Sequence, residues 1–266
     1  MNTISLNVAR YTPTGTSFSK VAAIWYFLGL LVFSGGAVAG DDWEFDWELY
    51  GWLPIIETEN EAGNKSEITR DDILDDLDLF NFSIVRIKKG KWSLSSDFVY
   101  FAISKKEDVP LFGELPGLAE LDKAGMQAWV IRPALGYEIY RTDKQFVELY
   151  AGGRYLWIEA DLKFDLNPLL PGSDTRKDSP SKSNWDGIVG ARGSYWLNDK
   201  WFLPYSVNAG TGQSDFTWEG QAALGYRFKH LDAVAGWRYL YYDIGSDTPL
   251  KELTVNGPFA GVMFHW

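Results

Sequence analysis

From Asp41 onward, apolar and polar positions alternate with a period of two over most of the chain. Trp43, Phe45, Trp47 and Leu49 alternate with Glu44, Asp46, Glu48 and Tyr50. Trp129, Ile131, Leu135, Tyr137 and Ile139 alternate with Val130, Arg132, Ala134, Gly136 and Glu138. Leu149, Ala151, Gly153, Tyr155 and Trp157 alternate with Glu148, Tyr150, Gly152 and Arg154. A β-strand turns successive side chains to opposite faces, so the pattern predicts strands with one apolar and one polar face. Ten such segments can be marked, at about 43–53, 79–89, 91–104, 125–141, 145–161, 184–198, 200–213, 215–229, 231–243 and 253–266.

The connections alternate in length. Tight, charged ones stand at Lys88-Lys89-Gly90-Lys91, Thr142-Asp143-Lys144, Asn198-Asp199-Lys200 and Lys229-His230. Longer ones span 54–78, 105–124, 162–183 and 244–252, and Thr211-Gly212-Gln213-Ser214 is a short exception among them. Short turns at one end and long loops at the other predict an all-β fold, a transmembrane antiparallel up-and-down β-barrel of about ten strands, with eight or twelve as neighbours. The short turns then face the periplasm and the loops face outward. Aromatic positions fall into two belts on this topology. Trp43, Trp92, Tyr140, Phe146, Trp196, Trp201, Phe228 and Trp266 lie near the short-turn rim. Tyr100, Trp129, Trp157, Trp185, Trp218 and Tyr241 lie near the other. Such rings favour headgroup depth, where the apolar body is buried and the N–H or O–H stays wet. A barrel in water would bury the aromatic face instead. The belts, and glycines on the polar face, favour the membrane version.

The first forty residues follow a different logic. Arg10 and Lys20 are the only charges before Asp41, and Val21–Phe33 is a nearly unbroken apolar run ending at Ser34-Gly35-Gly36. A basic start, a short apolar stretch and Ala37-Val38-Ala39 predict a signal peptide over 1–39, cleaved after Ala39, and a single barrel domain over 40–266. As a helix the run would reach roughly 20 Å, short of the ~30 Å hydrocarbon core.

Composition narrows the function. The formal net charge of −11 excludes nucleic acid as a natural partner, because phosphate neutralisation needs a basic surface. The absence of cysteine excludes disulfides, thiolate metal sites and a cysteine nucleophile. Aromatics make up 16% of the chain while the mean hydropathy is slightly negative, which fits a lipid face averaged with a polar lumen and acidic loops.

Ala260, Val262, Phe264 and Trp266 alternate outward to the last residue. A terminal aromatic closing an alternating strand resembles the assembly signal of Gram-negative outer-membrane barrels. Together with Trp47-Glu48-Leu49-Tyr50-Gly51-Trp52-Leu53-Pro54, Gly225-Tyr226-Arg227 and Gly236-Trp237-Arg238-Tyr239, it makes the chain similar to the small OmpA-like and OmpW-like barrel families. That resemblance covers essentially all of 40–266. It implies residence in the outer membrane, contact with membrane lipid and lipopolysaccharide, and handling by the barrel assembly machinery through Phe264 and Trp266.

On the polar face, Arg86, Arg132, Arg154, Arg192, Arg227 and Arg238 project inward with Glu44, Asp46, Glu48, Asp97, Glu138, Glu148 and Asp186. Large side chains nearly fill a narrow barrel, and arginine suits bidentate contacts with carboxylates. Two readings follow: an ion-paired core that closes the lumen of a structural or surface-exposed protein, or a small porin-like path with an arginine constriction.

In loop 54–78, Thr69 and Asp72 resemble a capping box, and Ile73, Leu77 and Phe80 share one helical face, so a short helix is expected over the mouth or in the lumen. Its aspartates lack the spacing of a calcium loop. Loop 105–124 carries Leu111, Phe112, Leu115, Leu118 and Leu121, which suit a packed lid, and loop 162–183 reads as mobile. An enzyme is not expected. The only histidines, His230 and His265, fall at the short-turn end, far from a Ser–His–acid site among the outer loops. No cofactor motif is present.

Overall fold

The computed structural model describes residues 43–60, 62–105, 120–165, 175–178, 181–229, 231–245 and 251–265. The expected signal segment, His230, Trp266 and much of loops 105–124 and 162–183 lie outside them.

Ten antiparallel strands close into a ring. They are β1 (Trp43–Trp52), β4 (Leu77–Lys89), β5 (Trp92–Lys105), β6 (Glu120–Arg141), β7 (Gln145–Asp165), β9 (Ser181–Trp196), β10 (Trp201–Gly212), β11 (Phe216–Arg227), β12 (Asp232–Asp243) and β13 (Glu252–His265). Each pairs with its neighbour in that order, and β1 pairs β13 to complete the circle. Closure is what makes such a sheet viable in lipid, because no backbone N–H or C=O is left at an edge. The seam runs from Asp46↔His265 to Trp52↔Phe259. At it, the Trp47 and Phe264 rings lie 6.0 Å apart.

Three short strands decorate the long-loop end. Pro54, which has no N–H to give a ladder, breaks β1 from β2 (Ile55–Glu59). Beyond the break β2 continues against β13, and β3 (Lys65–Ile68) pairs β2. The expected helix forms as α1 (Arg70–Asp76), opened by Ile73 N–H on Thr69 C=O at 3.1 Å. It is shorter than the sequence suggests: Leu77 and Phe80 belong to β4, so the shared helical face of Ile73, Leu77 and Phe80 does not exist. Strand pairing with β5 from Leu77 onward claims those backbone groups instead. The strands β6 and β7 also run past their expected ends, to 22 and 21 residues, against the 9–11 that cross a bilayer. Part of each neighbouring loop is therefore strand, with β8 (Thr175–Asp178) added to β7.

Ring pairs mark two aromatic levels on the outside. Trp92–Tyr137 and Trp201–Tyr226, each 4.8 Å apart, lie near the short-turn rim. Trp129–Trp157 (5.6 Å) and Trp218–Tyr239 (4.7 Å) lie toward the other. Phe146 and Trp196 are corrections. Both share parity with Glu148 and Arg192 and line the interior. There Arg141 stands over Phe146 at 5.4 Å and Arg227 over Trp196 at 4.3 Å. Their strand phase, not their closeness to a turn, decides the face.

Candidate functional site: the barrel interior

Inward positions sort into three tiers along the axis. At the long-loop end the tier is apolar: Trp52, Phe82, Val99, Val130, Leu156, Leu240 and Val255 form one buried cluster, to which α1 contributes Ile73. These residues keep the parity of the lumen charges, as Val99 follows Asp97, Val130 precedes Arg132 and Leu156 follows Arg154.

The middle tier is ionic and almost fully buried. Arg154 is 0% exposed, Arg238 and Glu219 2%, Asp97 4% and Arg132 8%. Asp97 Oδ2 accepts from Arg132 Nη2 and Arg238 Nη2, both at 2.8 Å, and its Oδ1 accepts from the Tyr50 hydroxyl at 3.0 Å. Glu219 Oε2 accepts from Arg132 Nη1 at 2.5 Å and Arg154 Nη2 at 2.9 Å. Glu219 Oε1 lies 3.1 Å from Arg238 Nη2, an ionic contact off the hydrogen-bond axis. Arg154 also donates to Thr217 Oγ1 at 2.7 Å and to Asn208, and Arg238 donates to the Tyr50 hydroxyl. Three guanidiniums thus share two carboxylates. Charges in a low-dielectric interior are tolerable only when paired and hydrogen-bonded in this way.

The third tier surrounds a cavity of about 800 Å³ that reaches the short-turn rim, where Asp143, Lys144, Asn198 and Asp199 of the turns line it. Here Arg192 binds Glu148 Oε1 through Nε at 2.6 Å and reaches Ser95 Oγ at 2.9 Å and Ser93 Oγ at 3.1 Å. Gly136 makes room for this cluster, since a Cβ there would collide with Glu148 Oε1 and Ser93 Oγ. Gly190 does the same for Tyr150. Glu138 holds Arg141 (2.8 Å) and Lys88 (2.9 Å), and Arg227 makes a two-pronged contact with Asp232 at 3.1 and 3.0 Å.

The sequence candidates therefore divide. Arg132, Arg154, Arg238 and Asp97 meet in the middle tier, and Arg192 with Glu148, Glu138 and Arg227 serve the rim tier. Arg86 contacts Asp46 at 3.6 Å, and Glu48 has no ion-pair partner within 4.0 Å among the described residues. Asp186 is buried but serves a turn, accepting from Ser214 N at 2.8 Å and Asn184 Nδ2 at 3.1 Å. Sequence reading missed Glu219, which joins three arginines, although it shares phase with Gln221, Ala223, Gly225 and Arg227 on β11. It also missed Tyr50, Asn208 and Thr217, neutral groups whose role depends on what stands opposite.

Apolar rings outside, charges inside and a closed ladder invert the polarity of a water-soluble barrel, and define an integral outer-membrane β-barrel that crosses with its strands. Among the described residues no helix is long and apolar enough to cross a membrane. No described protein family matches the chain, and no curated protein matches it. Among solved structures, the outer membrane protease OmpT from Escherichia coli is 12% identical, covers 85% of this chain and 97% of its own, and superposes with a TM-score of 0.41. The Pseudomonas putida toluene transporter TodX is 10% identical, with 85% and 90% covered and a TM-score of 0.40. Ail, the attachment invasion locus protein of Yersinia pestis, is 8% identical, with 85% and 100% covered and a TM-score of 0.37. The class rests on the ring and its inverted polarity, not on these distant likenesses.

Proposed function

We propose that this barrel is a structural, surface-exposed outer-membrane protein whose lumen is occluded at mid-height, and that it is not an enzyme. One observation carries the reading. Tyr50, Asp97, Arg132, Arg154, Asn208, Glu219 and Arg238 form a single hydrogen-bonded network that ties seven strands together across the lumen. The apolar tier stacked on it adds a second obstruction. In this reading residues 1–39 direct export and are removed, the outward aromatic face meets lipid and lipopolysaccharide, and the Phe264 strand is what the assembly machinery engages.

A small passive channel is the second reading, favoured by the cavity that reaches one rim. Planar-bilayer recording of the refolded barrel separates the two. A silent bilayer is the expected result. Stable stepwise currents that change with Arg132→Ser or Arg154→Ser would establish the channel instead.

A further inference from the structure

Two charges of opposite sign face the short-turn cavity without strong partners. Arg86 sits on β4 with its Nε buried and lacking a hydrogen bond, and its nearest carboxylate, Asp46, is 3.6 Å away. A guanidinium has five N–H donors, so most of its capacity is uncommitted within the described residues. Arg86 is the cross-strand partner of Ser95, whose hydroxyl accepts from Arg192. Arg86 and Arg192 thus both line this cavity, two like charges that a shared anion would relieve. Asp97 and Glu148 cannot supply it: the first is held by Arg132, Arg238 and Tyr50, the second by Arg192 itself. Glu48 is a carboxylate of this cavity that has no ion-pair partner within 4.0 Å among the described residues. It lines the same cavity one inward step beyond Asp46 on β1, about 7 Å along the strand.

We infer that this cavity binds a small zwitterion, its carboxylate or phosphate held between Arg86 and Arg192 and its ammonium by Glu48. The volume of about 800 Å³ falls in the range of small-molecule sites. The ring of Tyr150, 5.0 Å beneath the Arg192 guanidinium, adds an aromatic wall against which the linking carbons can pack. Entry is from the short-turn rim. The occluding tier is not required: a conducting barrel would leave the site in place, because the readout is binding and not current.

Three probes of one chain length test the assignment by calorimetric titration of the refolded full-length barrel: 4-aminobutyrate, butyrate and butylammonium. Saturable binding of 4-aminobutyrate is expected, weaker by on the order of ten-fold for each singly charged probe, since each loses one charge-assisted contact. Arg86→Gln should erase the advantage of 4-aminobutyrate over butylammonium, and Glu48→Gln its advantage over butyrate. Lys65→Gln, which removes an exposed cation at the long-loop end, should change neither. Heat-modifiable gel migration confirms that each variant is folded. Absence of saturable binding, equal affinity for the three probes, or unchanged discrimination in folded Arg86→Gln would overturn the proposal.

Discussion

Arg154 of β7 donates Nη2 to Glu219 Oε2 of β11 at 2.9 Å, with the guanidinium wholly buried. The two residues are 65 positions apart and lie on strands that are not neighbours in the ring, so the bond spans the lumen. Interstrand ladders fix neighbours only. A transverse bond of this kind fixes the interior, and its removal tests what the interior contributes.

Glu219→Ala takes from Arg132, Arg154 and Arg238 the carboxylate they share. Leaving buried guanidiniums uncompensated should destabilise the barrel by roughly 3–5 kcal/mol. Urea unfolding from lipid bilayers, followed by tryptophan emission, measures it. An Arg154→Met, Glu219→Leu pair should recover part of the loss, because it removes one of the three guanidiniums that would otherwise stay buried without that carboxylate. A midpoint for Glu219→Ala equal to wild type would refute a structural role for the tier.

The Trp47–Phe264 contact joins the first strand to the last. Phe264→Ala should lower stability by about 0.5–1.5 kcal/mol beyond its lost area, the worth of an aromatic pair. If the last strand is also the assembly signal, folding yield in cells should fall more than stability measured after refolding. The comparison of outer-membrane abundance with the urea midpoint separates the two effects.

Asn198 organises the β9–β10 turn, its Oδ1 accepting from the N–H groups of Lys200 and Trp201 at 2.9 Å each. Asn198→Ala should cost about 1–2 kcal/mol, two exposed hydrogen bonds at modest net worth. The same urea assay reads it, and a shift below a few tenths would mean that β9–β10 pairing alone holds the turn.

Orientation can be read by labelling, helped by a chain with no native cysteine. Asn64→Cys, in the β2–β3 turn at the long-loop end, should react with an impermeant maleimide on intact cells. Asn198→Cys, at the short-turn end, should react only after the outer membrane is permeabilised. The reverse pattern would invert the barrel.

Sequence alone determined the ten strands, their order of connection and which face most side chains take. Each follows from a local rule, the period of two and the length of each turn. Thus Arg132, Arg154 and Arg238 could be placed inside without any knowledge of one another. Where the local rule was overridden by proximity to a turn, at Phe146 and Trp196, the reading erred. Only the tertiary structure decided depth and partners. Closing the ring with a fixed stagger sets which residues of distant strands share a level. That stagger brings Glu219 to three arginines, sends Asp186 to a turn, separates the interior into apolar, ionic and open tiers, and leaves Arg86 and Glu48 facing the same cavity. Alternation names the side of the wall a residue is on; the stagger of the closed ring names its neighbours.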